Sequence, residues 1–391
     1  MDRPARARRT GHPTDTPSMD DFAFVRACVA RAAPDASMMT RVDPARVAAI
    51  AHRHQVVPLV VEAYRRAEVL VPAAIARRHA PLAPLALARE AVRLRALFEA
   101  EGIAPLFLKG STLAMLAFGS LDARQFGDID LLVRATDAPR AATLLACAGY
   151  RLPGVATEAL AAHVARLVPF AKDIALEHPG TRHIVELHWR TSDNPNERAA
   201  HDDAVQMVEL SPGVTLPTLG TEALFAYLCA HGAAHLWARL RWLGDIAALV
   251  ARSGDGGTRL WRAAVARGQG RAAASAILLA HRFLALPLPP GFVAPRSLRL
   301  RILVAGATRA IGAGGGATDL AHTGWRGWAE TGAKLLLTSG TGDLKGWSTR
   351  LLFSVEPDER VGASRLWHIT HPLRRIPRLI RRRRERRLRR P

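Results

Sequence analysis

Two aspartates, Asp128 and Asp130, stand one residue apart inside the apolar run "GDIDLLV". Alternate residues of a strand share a face, so the two acids project together and Ile129 and Leu131 project away from them. Carboxylates at that spacing converge readily on hard divalent cations such as Mg²⁺, which prefer oxygen ligands. Glu186 in "HIVELHW" is a third acid in an apolar run and suits a neighbouring strand of the same site. The basic half is "KGS", Lys109-Gly110-Ser111, where an apolar run gives way to a helical one. Glycine there permits close backbone approach, and the N-terminus of the next helix offers free N–H groups and a positive dipole end to phosphate. Each feature also has a plain structural use: a solvated strand face for the acids, a helix N-cap for Ser111, a strand end for Lys109, an ion pair with Asp122 or a core acid for Arg124. The conjunction of three acids with a Gly-Ser turn favours the metal-and-phosphate reading.

The elements that must position these groups follow from hydrophobic period. "IAPLFLKG" predicts a strand, "STLAMLAFG" a helix from about Ser111, "FGDIDLLVRA" a strand, and "DAPRAATLLACAGY" a helix. "AKDIALEHPGTRHIVELHWR" predicts two strands around an "HPGT" turn. Residues 102–192 therefore make a small α/β core. Upstream, residues 21–101 have helical period. Asp43 suits an N-cap with Pro44 in the first turn, while Leu87, Ala91, Leu94 and Phe98 share one helix face that Gly102 ends. Residues 193–220 suggest a polar linker holding a short strand, and 221–370 a second helical region. Residues 1–20 and 371–391 are basic tails.

Composition bounds the rest. The 391 residues carry a formal net charge of +21, of which the eleven arginines after Leu373 and the four in the first ten residues account for most. The terminal tail could meet anionic membrane or nucleic-acid phosphate, but it lacks interleaved aromatics, and a solvated tail is the favoured reading. The three cysteines, Cys28, Cys147 and Cys229, give no disulfide or zinc spacing. No apolar run reaches the ~18 residues of a membrane span, and a cytoplasmic location is expected. His231 and His235 lie at i, i+4, but the zinc-peptidase pattern needs glutamate where Gly232 stands; satisfied helix-face histidines are expected. His188 falls on the strand face of Glu186 and can support the site. Arg241 and Asp245 are spaced for an intrahelical pair. The glycine clusters "IGAGGGATD" and "TSGTGDLKG" lack the surroundings of nucleotide-binding loops and suggest plain loops.

"KGS", "R…GDIDLLV" and an acid just before "LHW", taken in that order, resemble the DNA-polymerase-β-like nucleotidyltransferase superfamily, and within it the bacterial family NTP_transf_5, whose C-terminal half "HGAAHLWARLRWLGDIAALV" is also similar. The resemblance implies an α+β fold: a polymerase-β-like core of mixed sheet and helices flanked by N- and C-terminal helical regions. It implies transfer of a nucleoside monophosphate, AMP from ATP, to an unknown acceptor such as a small molecule, sugar, peptide or protein. Asp128, Asp130 and Glu186 would hold Mg²⁺ or Mn²⁺, with Glu186 also a base on the acceptor hydroxyl. Gly110 and Ser111 would hold the β,γ-phosphates, and Lys109 and Arg124 would contact phosphate. The third acid in such sequences is more often aspartate, which a metal-bridging role tolerates. An inactive nucleotide- or nucleic-acid-binding protein on the same fold is the alternative.

Overall fold

The computed structural model describes residues 19–32, 36–80, 82–192, 202–319 and 326–338. The expected arginine-rich tail, nearly all of the N-terminal tail and the cluster "TSGTGDLKG" lie outside them. The architecture is mixed α+β, with a four-stranded mixed sheet between helical layers.

The chain opens with six helices: α1 (Met19–Val29), α2 (Ala36–Arg41), α3 (Pro44–His54), α4 (Val57–Arg66), α5 (Ala73–Ala76) and α6 (Leu82–Ala100). Asp43 caps α3 by accepting from the Ala45 N–H at 2.9 Å, and Gln55 ends it in the left-handed region at φ 57°. Leu87, Ala91, Leu94 and Phe98 on α6 are all buried. Gly102, at φ 70°, closes that helix with its N–H on the Glu99 carbonyl.

The sheet follows: β1 (Leu106–Phe107), α7 (Ser111–Phe118), β2 (Asp128–Leu132), α8 (Ala138–Cys147), α9 (Leu160–Leu167), β3 (Asp173–Glu177) and β4 (Ile184–His188). Strand order is β1-β2-β4-β3; β2 and β4 are parallel, the outer pairs antiparallel. A parallel pair needs a long crossover, and here α8, α9 and β3 supply it. The α9 helix was not expected from periodicity; Leu160, Val164 and Leu167 bury its one apolar side. Ile129, Leu131, Ile174, Leu176, Val185 and Leu187 join α6, α8 and α9 in one apolar core. The opposite sheet face carries the acids.

Residues 205–219, expected as linker with one short strand, form a hairpin of β5 (Val205–Ser211) and β6 (Val214–Leu219). Helices α10 (Thr221–Ala234), α11 (Leu240–Ala251), α12 (Thr258–Ala266), α13 (Gly270–Leu284), α14 (Leu298–Gly312) and α15 (Arg326–Leu337) complete the described fold. They do not form a separate flank. Phe24, Val47, Ile50 and Tyr64 from the N-terminal helices share one core with Leu224, Phe225, Leu243 and Ile277. Arg53 ties the two by donating to the carbonyls of Ala310 at 2.6 Å and Ile311 at 3.0 Å, at the end of α14.

The sharp exit from α10 explains Gly232. Leu236 and Trp237 adopt positive φ, and the Trp237 N–H returns to the Gly232 carbonyl at 2.8 Å. The buried indole folds back over Gly232, donating Nε1–H to Ser275 at 2.9 Å, and a Cβ at Gly232 would overlap its ring. Gly232→Ala should therefore lower stability by about 1–3 kcal/mol through overpacking. A thermal melt equal to wild type would refute this contact.

Candidate active site

Register builds the site. The parallel pairing sets Asp130 opposite Glu186, Asp128 opposite Ile184 and Leu132 opposite His188. The antiparallel pairing sets Asp173 opposite His188. Directly paired residues share a face, so Asp128, Asp130, Asp173, Glu186 and His188 gather on the sheet side away from the α8–α9 layer.

Asp130 is the buried centre, only 2% exposed. Lys109 Nζ lies 2.7 Å from its Oδ1 and His188 Nε2 lies 3.3 Å from the same atom. His188 also sits 3.4 Å from Glu186 Oε2 and, through Nδ1, 3.4 Å from Asp173 Oδ2. Both contacts of Asp130 fall on Oδ1, and its buried Oδ2 has no partner. Lys172 pairs with Asp173.

Charge sets the protonation. Burial alone would raise Asp130, but Lys109 and His188 hold it well below the usual carboxylate range. Burial and the Asp130 charge raise Asp128 from its ordinary value. Burial and Lys172 press His188 down, yet contact with Asp130 and Glu186 and the charge of Asp173 carry it above its ordinary value.

The "KGS" turn leads from β1 into α7. Gly110 caps the helix at φ 65°, a conformation that favours glycine, and a Cβ there would meet the Asp128 carbonyl at ordinary van der Waals distance. Ser111 is the first helical residue rather than the cap, and is buried. Thr112, not singled out from sequence, fixes the turn by donating to the carbonyls of Phe107 at 2.9 Å and Lys109 at 3.0 Å.

Arg124 pairs with a core acid: it is 3% exposed and grips Asp245 with Nε at 2.8 Å and Nη2 at 3.0 Å, so the expected Arg241–Asp245 pair is replaced. Asp245 is thereby taken from Arg241, which donates instead to the Gln125 carbonyl at 2.9 Å. Across the acid face, α10 brings Tyr227, which feels the Asp130 and Glu186 charges, and His231. The His231 and His235 ring centroids lie 4.8 Å apart, and both rings contact Trp242. Burial and Lys109 hold His231 well below the usual imidazole range, so it is neutral.

The residues fit a divalent cation. Asp130, Glu186 and His188 each offer one ligand atom within 4.8 Å of the others. Buried carboxylate oxygens without partners are rare unless a ligand meets them. Carboxylates suit Mg²⁺ and Mn²⁺, and the imidazole widens the set toward softer ions. His188 joins Asp130 and Glu186 in that trio, and Asp128 lies on the same face. Asp173 was missed altogether. Its signal was the turn: with His178 N–H bonded to the His183 carbonyl, counting back places Asp173 opposite His188.

Residues 40–285, well over half of the chain, match the model of a family described as an uncharacterised nucleotidyltransferase. The chain belongs to that family. No curated protein and no solved structure matches it. The span matched to the nucleotidyltransferase family runs from α3 to α13 and so includes the acid face, the "KGS" turn and both helices that carry the aromatic cluster. No described helix is long and apolar enough to cross a membrane.

Two outcomes follow for this member of the family. Asp245→Asn leaves Arg124 buried without its counter-charge and should cost about 3–5 kcal/mol in urea denaturation; an unchanged midpoint would show the pair to be dispensable. In metal-free protein, His188 holds its proton more tightly folded than unfolded. Its stabilisation is full below the ordinary value of 6.5 and is lost as pH rises through the higher folded value. The melting-temperature advantage of wild type over His188→Gln in EDTA should shrink from about pH 6 to about pH 9. An advantage that grows over this range would contradict the assignment.

Proposed function

We propose that this chain transfers a nucleoside monophosphate, AMP from ATP, to an acceptor hydroxyl on a polymerase-β-like core, releasing pyrophosphate. The observation that carries the reading is the β2/β4 register. It sets the buried Asp130 directly across from Glu186, beside a glycine turn that opens a helix. The family match supports the reaction class. Asp130, Glu186 and His188 would hold the divalent cation, with Asp128 beside them. When bound, that ion supplies charge neutralisation for the triphosphate.

The chain's own groups do the rest. Gly110 and the α7 N-terminus offer backbone N–H groups to the β,γ-phosphates, and the buried Ser111 hydroxyl lies at the same turn. Lys109, now against Asp130, keeps that carboxylate ionised. Glu186, about a third exposed, is the acid an acceptor from solvent can reach, and it takes the hydroxyl proton. The acceptor oxygen then bonds to the α-phosphorus as the bond to the β-phosphate oxygen breaks. Positioning and charge account for the rate; no covalent intermediate with the protein is required.

Calorimetric titration of ATP, GTP, CTP and UTP, with Mg²⁺ or Mn²⁺ and with EDTA, tests this without knowledge of the acceptor. Wild type should bind one triphosphate only with metal. The Asp128→Asn/Asp130→Asn protein should lose at least about a hundredfold in affinity, because even outer-shell changes at metal sites cost about 10–100-fold. Its fold should be retained. Equal binding by a folded double variant would sink the site assignment.

A further inference from the structure

Arg241, in the first turn of α11, carries a charge that no carboxylate meets among the described residues. Its sequence neighbour at i+4, Asp245, is held bidentately by Arg124. Its one hydrogen bond goes to a neutral acceptor, the Gln125 carbonyl, and its Nε is buried without a partner. The other cations of the site are occupied: Lys109 by Asp130, Lys172 by Asp173, Arg124 by Asp245.

The side chain is nonetheless at the acid face. Gln125, which anchors it, lies three residues before Asp128, and the charges of Asp128 and Asp130 both act on the guanidinium. Burial and the nearby Arg124 lower its pKa to about 10, so it stays cationic at neutral pH. Taking a charge out of water without a partner is costly. A guanidinium has donors and no acceptor, so what completes it must be acceptor-rich, and its planar fork matches phosphate oxygens.

We propose that Arg241 is a phosphate-binding residue of this site, its guanidinium taking oxygens of the β- or γ-phosphate of the bound nucleoside triphosphate. This rests on the nucleotidyl-transfer reading, and it transfers to Arg241 the phosphate contact that the sequence suggests for Arg124. A fixed cation there opposes the negative charge that builds on departing pyrophosphate.

The test pairs binding with stability. ATP, adenosine and inorganic tripolyphosphate are titrated into wild type, Arg241→Gln and Arg241→Lys, with Mg²⁺ and with EDTA. Melting temperatures are read in parallel, without ligand and with ATP. Arg241→Gln should weaken ATP and tripolyphosphate by about ten- to a hundredfold, the range of one or two charge-assisted hydrogen bonds. Adenosine binding should not change. The ligand-free melting temperature should hold or rise, since an unpaired charge is removed, while the ATP-induced rise shrinks. Wild-type affinity for ATP in folded Arg241→Gln overturns the proposal. A ligand-free melting temperature that drops with no change in ATP affinity overturns it too, in favour of a structural tie to Gln125. Should the glutamine variant not fold, Arg241→Lys decides: it loses the fork, so affinity should fall severalfold, and wild-type affinity refutes the guanidinium role. Wild type that binds tripolyphosphate through Arg241 but no nucleotide would overturn the nucleotidyl-transfer reading and leave the anion site standing. Wild type that binds neither overturns both.

Discussion

Asp130 can be buried and ionised only because cations surround it. A carboxylate withdrawn from water is unfavourable unless it is met by charge or hydrogen bonds. Here Lys109 and His188 meet one oxygen, at 2.7 and 3.3 Å, and the other oxygen has no partner. That arrangement attracts without saturating. Hydrogen bonds to both oxygens would make Asp130 a finished structural ion pair. With one oxygen engaged, the other is left unmatched on the acid face.

The rest of the architecture protects this imbalance. The apolar side of β2, β3 and β4 is closed by α6, α8 and α9, so the strands cannot turn their acids inward. The other side is roofed by α10 and α11, which the N-terminal helices hold in place through a shared core. The Arg124–Asp245 pair ties the approach to β2 onto α11 at the point where the roof meets the sheet. The flanking helical regions thus function as one wall of the site, and the sheet as the other.

Much of this was legible from local pattern. The acids on β2 and β4 stood out because each interrupts an apolar run, and the Gly110 turn because its helix starts abruptly. The α3 cap, the α6 face and the α7 start follow from side chains within a few residues. What local pattern could not give is pairing between distant elements. Arg124 meets Asp245 from 121 residues away, whereas spacing along one helix offered Arg241 as the obvious partner. His188 comes beside Asp130 and Glu186 because of how β4 lies beside β2. The α9 helix was hidden because it is short, eight residues, and its flanks are loop-like. The hairpin at 205–219 was hidden by Pro217, which reads as a breaker but sits in a strand of a two-stranded sheet.

The swap between Arg124 and Arg241 shows how the two walls share their charge. A bidentate fork can satisfy one carboxylate fully, and Arg124 takes both oxygens of Asp245. Once Arg124, buried deeper, claims it, Arg241 is left with a carbonyl. Had the intrahelical pair formed instead, Arg124 would be the unpaired charge, enclosed where no ligand reaches. The observed choice neutralises the inaccessible guanidinium and leaves the one beside the acid face uncompensated. The same logic separates Lys109 from Lys172: each neutralises one carboxylate of the face, so excess positive charge gathers at α11 and excess negative charge at Asp128 and Glu186. A metal-bound polyphosphate has that same polarity, its cation toward the carboxylates and its anionic tail toward a guanidinium.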